Sequence, residues 1–215
     1  PPAAASEQDL LPPLIARPRV VPLRSSTPVT ALRSPETHFV PAGHGDQLGL
    51  VRGNLAHKAA ELWFTSSVRP DLTKVLRDLG EAIAPAAEPG VIADVEAMLD
   101  LLGASPLAGT LAEDDTTAYF ELPFSWDWDG VPVHGTIDLA YKTNDQWHVI
   151  DFKTDQLRGG SIEEAAAPYL PQLALYAAAL EKATGSKPET GLLFLRTGEY
   201  FIASDASLAD ALTAT

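Results

Sequence analysis

An α/β domain with a mixed central sheet flanked by helices is the fold class this sequence predicts, on three observations. Amphipathic helical patterning occupies residues 50–104, ahead of any convincing strand. Three strand-like runs with short links follow between Tyr119 and Phe152, the pattern of an antiparallel meander. A helix from about Ala166 to Lys182 and two shorter strands complete the order.

The elements follow from local chemistry. Residues 1–49 are proline-rich, with Pro-Pro at 1–2 and 12–13 and further prolines at 18, 22, 28 and 35. Proline fixes φ and removes an amide donor, so this stretch reads as an extended arm or linker, with a short helix beginning between Thr27 and Leu32 and a glycine-rich loop from His38 to Gly49. Leu55, Ala59, Leu62 and Trp63 recur at helical spacing and predict a helix from about Leu50 to Ser66 that carries His57. Two more helices are expected at Asp71–Ala84 and Val91–Leu102, with Asp71 as a start signal and Gly103 as a stop. The strands are expected from Tyr119 to the Asp129-Gly130 turn, over Val131–Tyr141, and over Gln146–Phe152. After the 166–182 helix come GLLFLRT and EYFIA, joined by a Gly-Glu turn, and a helical tail from Asp205.

Composition narrows the function. A length of 215 residues suits one domain, or one domain with an appendage. No apolar run approaches the roughly 20 residues of a spanning helix, so no membrane role is expected. The chain opens on proline without a secretory pattern, which suggests a piece of a longer polypeptide acting in the cytoplasm. With no cysteine there is no disulfide and no cysteine-ligated iron-sulfur cluster. A formal charge of -14 argues against broad electrostatic binding of nucleic acid. No GxxxxGK[ST] motif marks an NTPase.

Against that background, GTIDLAYKTNDQWHVIDFKTD (135–155) is unusual, because Asp138 and Asp151 interrupt apolar strands. Asp151 and Lys153 are two apart and share a face, and hairpin register can bring Asp138 beside Asp151. Paired carboxylates repel, and a hard divalent cation such as Mg2+ or Mn2+ reverses that penalty. Lys153 could then polarise a water or stabilise charge on a phosphate. Gln172 and Tyr176, four apart, share a helical face next to the apolar stripe of Leu173, Ala177 and Leu180.

These motifs together resemble the RecB-like nucleases of the PD-(D/E)XK superfamily, especially those attached to UvrD/Rep-type or AddA-type helicases. The resemblance rests on Gly135-Thr136-Ile137-Asp138, Asp151-Phe152-Lys153-Thr154, Gln172 with Tyr176, and the GNLAHKAAEL segment around His57. It implies a restriction-endonuclease-like core over 119–203 within a nuclease domain over 50–215, with 50–104 as a helical segment. It further implies that Asp138, Asp151, His57 and the Phe152 backbone carbonyl are metal ligands. Glu121 is a weaker candidate for a second-metal or water-mediated contact. By the same resemblance Lys153 is the catalytic lysine, and Gln172 and Tyr176 bind DNA or position that lysine. Family members usually carry tyrosine where Phe152 stands, which leaves a backbone role intact.

The expected function is therefore a divalent-metal-dependent DNA nuclease, in the first instance an exonuclease, in DNA repair or recombination. The expected partners are DNA and helicase motor domains on the same polypeptide, and the expected location is the cytoplasm, at the nucleoid when acting on DNA. The alternative is a catalytically silent nuclease-fold module that guides DNA or scaffolds a helicase complex. Arg158 and Lys142 are possible phosphate contacts, and His44, His134 and His148 receive no role.

Overall fold

The computed structural model describes residues 27–28 and 47–213, apart from 82, 86, 129, 130 and 158. Most of the proline-rich arm, with His44, lies outside the described residues, as does Arg158; of the loop expected from His38 to Gly49, residues 47–49 instead open the first helix. The order is β1 (Thr27–Pro28), α1 (Gln47–Ser66), α2 (Leu72–Leu79), α3 (Glu88–Gly103), α4 (Pro106–Leu111), β2 (Thr117–Trp128), β3 (Val131–Thr143), β4 (Gln146–Lys153), α5 (Ile162–Ala166), α6 (Leu170–Thr184), β5 (Glu189–Phe194), β6 (Glu199–Ile202) and α7 (Asp205–Thr213). A 3-10 turn, Ala167–Tyr169, joins α5 to α6. Among the described residues no helix is long and apolar enough to cross a membrane.

The sheet is mixed. β2, β3 and β4 form the expected antiparallel meander, β5 joins β4 in parallel, and β6 closes the edge antiparallel to β5. Thr27 and Pro28 pair in parallel with Val133 and His134, and the rest of the stretch in which a short helix is expected to begin, residues 29–32, lies outside the described residues. An edge position tolerates the missing proline donor.

Two helical layers cover the sheet. On one face α1 to α4 bury Leu55, Ala59, Val95, Leu99 and Leu102 against Leu139, Ile150, Phe152 and Leu193. On the other, α6 and α7 bury Leu173, Leu175, Leu180 and Leu208 against Val149, Leu192 and Phe194. Each such aliphatic side chain taken out of water contributes roughly 1.5–3 kcal/mol. β4 and β5 are covered on both faces and carry the continuous apolar runs expected of interior strands.

Helix boundaries depart from the sequence reading for identifiable reasons. Asp71 caps α2 as expected, accepting from Thr73 N at 3.0 Å and Lys74 N at 3.2 Å, but the helix ends at Leu79 instead of Ala84, because Gly80 takes a left-handed C-cap with φ 67°. Gly103 is the last residue of α3, and its bare Cα serves packing: a Cβ there would lie 2.5 Å from the Trp63 ring of α1. The helix expected from Ala166 begins earlier and is interrupted. Ser161 and Glu164 form a reciprocal capping box that starts α5 at Ile162. Pro168 and Pro171 then fall where the chain re-enters a helix, in the 3-10 turn and in the first turn of α6. The short α4 has no counterpart in the periodicity of the sequence, and Ser105 caps it by accepting from Ala108 N at 3.3 Å.

Candidate active site

The site lies where β3 and β4 part. Their ladder runs from Thr143↔Gln146 to Leu139↔Ile150, so one further step sets Asp138 opposite Asp151. There the backbone pairing stops. The Asp138 carboxylate takes its place, with Oδ2 accepting from Phe152 N at 2.7 Å. Among the described residues β1 pairs with β3 at Val133 and His134, and the stretch of β3 between these pairings borders a cleft of about 880 Å3.

A second irregularity coincides with the first. On β2, Glu121 has φ 49° and its ladder pair with Asp138 is skipped, although Phe120↔Leu139 and Leu122↔Ile137 keep one register. Phe120 and Leu139 pack with the α1–α3 layer, whereas Leu122 and Ile137 pack on the α6 side. Regular alternation would put residues two apart on one face. The strand pair therefore switches faces at Glu121 and Asp138. A non-glycine residue in left-handed backbone is uncommon, and such strain concentrates at functional sites.

α1 presents a stripe to this cleft: Leu50, Gly53, Asn54, His57, Lys58 and Glu61 recur at helical spacing along one side. Because α1 begins at Gln47, His57 sits in its middle and not near its start. His57 Nδ1 lies 3.4 Å from Asp138 Oδ1. One ligand atom each from His57, Glu121 and Asp138 falls within 4.8 Å of the others.

From the α6 side come Asp151 and Lys153, whose carboxylate and ammonium are in direct contact. Both are buried, Asp151 at 1% and Lys153 at 8% exposure, so removing either would strand a charge. Lys153 Nζ also donates to Gln172 Oε1 at 3.2 Å, and Gln172 Nε2 donates to Tyr176 Oη at 2.7 Å. Gln172 and Tyr176 are themselves buried. The pair is thus linked to Lys153, and both residues also line the cleft. The Phe152 carbonyl points toward the same gap. Lys153 O accepts from Leu195 N on the β5 side, so the carbonyl of the preceding residue faces β3, the direction in which its own N–H meets Asp138.

The charges are strongly coupled. Burial opposes the charge on His57, but Asp138 and then Asp151 outweigh it and hold the imidazole up at about 9. Burial likewise works against the Asp138 charge, yet His57, Lys153 and the Phe152 N–H keep that carboxyl below its ordinary range. For Asp151 burial wins: desolvation, with repulsion from Asp138, pushes it up to about 6 despite Lys153. Burial and Asp138 raise Glu121. A site crowded with carboxylates that strain against their own ionisation, balanced by a protonated imidazole, is one in which a cation relieves repulsion.

Several neighbours are not apparent from the sequence. The Tyr169 ring lies under the Lys153 ammonium, 4.3 Å from its centroid, and its hydroxyl donates to Asp155. The three-residue spacing from Tyr169 to Gln172 is the one local signal for it. Arg196, on the turn after β5, donates from Nε to Thr154 O at 2.7 Å and ties the end of β4 to Asp94 on α3, which also holds Arg52 at 2.8 Å. No local pattern foretells that link. His134, given no role from sequence, lines the cleft, and its buried Nδ1 has no hydrogen-bond partner among the described residues. Lys142 pairs with Asp145 at 2.8 Å, and His148 belongs to a different cluster.

Comparison with known proteins agrees with this geometry. A family model described as the PD-(D/E)XK nuclease superfamily matches residues 31–212. An ATP-dependent helicase/nuclease of Thermoanaerobacter sp. (strain X514) has a polypeptide that is 35% identical over 77 residues, which are 36% of this chain and 6% of that protein. Its counterpart in Clostridium acetobutylicum, also an ATP-dependent helicase/nuclease polypeptide, is 34% identical over 80 residues, 37% of this chain and again 6% of the relative. The chain thus covers a small fraction of the length of these relatives. A crystal structure of a candidate exonuclease from Eubacterium rectale superposes with a TM-score of 0.53 over 77% of this chain and 62% of its own, at 14% identity, which shows a shared fold.

Proposed function

The chain belongs to the PD-(D/E)XK nuclease superfamily, and from that premise we propose that it is a divalent-metal-dependent deoxyribonuclease, the nuclease part of a helicase-nuclease in DNA repair or recombination. The observation that carries this reading is the break between β3 and β4, where Asp138, Asp151, His57 and the Phe152 carbonyl converge on one cleft beside a buried lysine.

The donor set fits Mg2+ or Mn2+. Carboxylate and carbonyl oxygens are hard ligands, and one imidazole is compatible with either ion. His57, Glu121 and Asp138 lie close enough to share one ion, and burial followed by repulsion from Asp138 disfavours the charge on Glu121 and Asp151. Asp138, Asp151, His57 and the Phe152 carbonyl would hold it, with Glu121 at reach for a second or water-mediated contact. When bound, such an ion lowers the pKa of water and neutralises charge on a phosphodiester. Lys153 keeps its ammonium at the cleft, held by Asp151 and Gln172 over the Tyr169 ring, where it can orient the attacking water and stabilise charge on the phosphate oxygens. Gln172 and Tyr176 hold the lysine in position, and both also line the cleft.

Exonuclease action is the preferred form. The test is incubation with linear and covalently closed circular DNA, single- and double-stranded, in millimolar Mn2+. Shortening of linear DNA with circles left intact is expected, and Asp151→Ala should abolish it. Cleavage that survives Asp151→Ala would refute the assignment.

A second reading, a silent DNA-guiding module, draws support from the cleft's charge. Glu61, Glu121, Asp138, Asp151 and Asp155 line it against Lys58 and Lys153, and both lysines are already ion-paired. The same imbalance favours help from a basic partner, such as helicase motor domains on one polypeptide, in holding DNA. An absence of Mn2+ binding that depends on Asp138 and Asp151 would select the silent module.

A further inference from the structure

At the opposite end of the meander a second cavity, of about 210 Å3, opens between the start of α4 and the sheet. Its chemistry is unlike that of the cleft. One register row crosses three strands: Tyr141 on β3, His148 on β4 and Glu189 on β5. The Tyr141 and His148 rings stack 4.6 Å apart at 8°, and His148 Nδ1 lies 3.4 Å from Glu189 Oε1. Tyr200 enters from β6, where it pairs with Leu193. Leu193 and Gly198 also line it, and Gly191, two residues beyond Glu189, lies against the Tyr200 ring. A Cβ there would lie 3.4 Å from Tyr200 Cζ and 2.4 Å from Phe201 O, so the bare Cα lets the Tyr200 ring lie close over the sheet. Ser105, Pro106 and Leu107 at the head of α4 form the facing wall.

We propose that this cavity is a cage for one arginine side chain presented by a protein partner. Two phenol rings and a carboxylate converge with little else that is polar, which is the environment that attracts a planar cation: a guanidinium stacks on aromatic faces and pairs with a carboxylate. Among the described residues no lysine or arginine pairs with Glu189; the group facing its carboxylate is His148 Nδ1 at 3.4 Å, which an incoming guanidinium would displace or share. Burial, and then Glu189, raise Tyr141. Burial, followed by Tyr141 and Glu189, raises Tyr200, which places both phenols within the field of that carboxylate. Tyr200 is 38% exposed, so the cage has a mouth at the surface, and a net charge of -14 favours a basic partner. Tyrosine and arginine are also the residue types that anchor protein interfaces.

The test uses the whole protein with L-argininamide, which resembles an arginine within a peptide, and follows the tyrosine ring resonances by NMR. Saturable shifts of Tyr141 and Tyr200 are expected, with a Kd of roughly 1–10 mM for so small a probe. Lysinamide should bind several-fold more weakly. Glu189→Gln should weaken argininamide at least about tenfold while leaving DNA cleavage and Mn2+ binding unchanged, and Tyr200→Leu should weaken it as well. No saturable shift, or equal shifts in Glu189→Gln, would overturn the proposal. Free L-arginine binding more than tenfold tighter than the amide would make this a metabolite site and overturn it too. So would ring shifts that follow protein concentration alone, which would identify a second copy as the occupant.

Discussion

Between Leu139 and Thr143, β3 runs in unbroken register with β4, and the side chains there include Ala140, Val149 and Ile150, all fully buried. One residue earlier the pairing ends, and Asp138, Asp151 and Lys153 occupy strand positions that could otherwise have continued the core. The same two strands thus hold a stabilising half and a chemical half. Backbone ladders satisfy every amide and carbonyl, so a strand in full register has no group left for a ligand. When the ladder stops, a carboxylate must take up the exposed Phe152 amide, and the neighbouring carbonyl turns toward the cleft. The site is made by ending the sheet.

The strongest way to break that contrast is to remove the lysine. Lys153→Ala should abolish DNA cleavage and, by leaving Asp151 buried without its partner, lower stability by about 3–5 kcal/mol in urea unfolding. Adding Asp151→Asn to that variant should recover much of the stability and none of the activity. Loss of activity with unchanged stability would show that the pair is not buried as described.

Ile150→Ala probes the other half. It should cost about 2–5 kcal/mol through the cavity it leaves. Mn2+ affinity, measured by calorimetry on the folded variant, should fall much less than in Asp138→Ala, because Ile150 supplies no ligand atom, although it packs in the helical layer that carries His57.

The third test is pH. His57 has its folded pKa raised from 6.5 to about 9, so its contribution is complete below about pH 6.5 and disappears as pH rises through 9. Metal-free protein should accordingly lose stability between these limits, by no more than about 3 kcal/mol. His57→Gln should flatten the profile over that window. A wild-type profile already flat there would separate His57 from Asp138.

The smallest effect is expected at the hinge between the halves. Arg196→Met removes the donor that holds the Thr154 carbonyl and should destabilise by about 1–2 kcal/mol. It should also weaken Mn2+ binding modestly in calorimetric titration, since the end of β4 is then tied less firmly to α3.

Much of this organisation is legible in the linear chain. The meander is written in three apolar runs with short polar links, and Asp138, Asp151 and Lys153 stand out because charge is improbable in such runs. Gln172 and Tyr176 are visible as an i, i+4 pair. What stays hidden has a common cause. Tyr169 belongs to a proline-interrupted turn that periodicity smooths into one helix. Arg196 acts on Thr154 from 42 positions away, so no window of local sequence contains both. His134, which reads as an isolated strand histidine, lines the cleft from the position where β1 pairs with β3, beyond the end of the β3–β4 ladder.

By itself the sequence determined that Asp138, Asp151 and Lys153 are out of place in apolar strands, and roughly which elements carry them, because residue type and period are local properties. Only the tertiary structure decided that β2 and β3 change face together at Glu121 and Asp138, so that Asp138 meets His57 from one helical layer beside the Asp151–Lys153 pair on the other side. Register between strands and contact between layers depend on packing the whole sheet at once, and no local pattern encodes them.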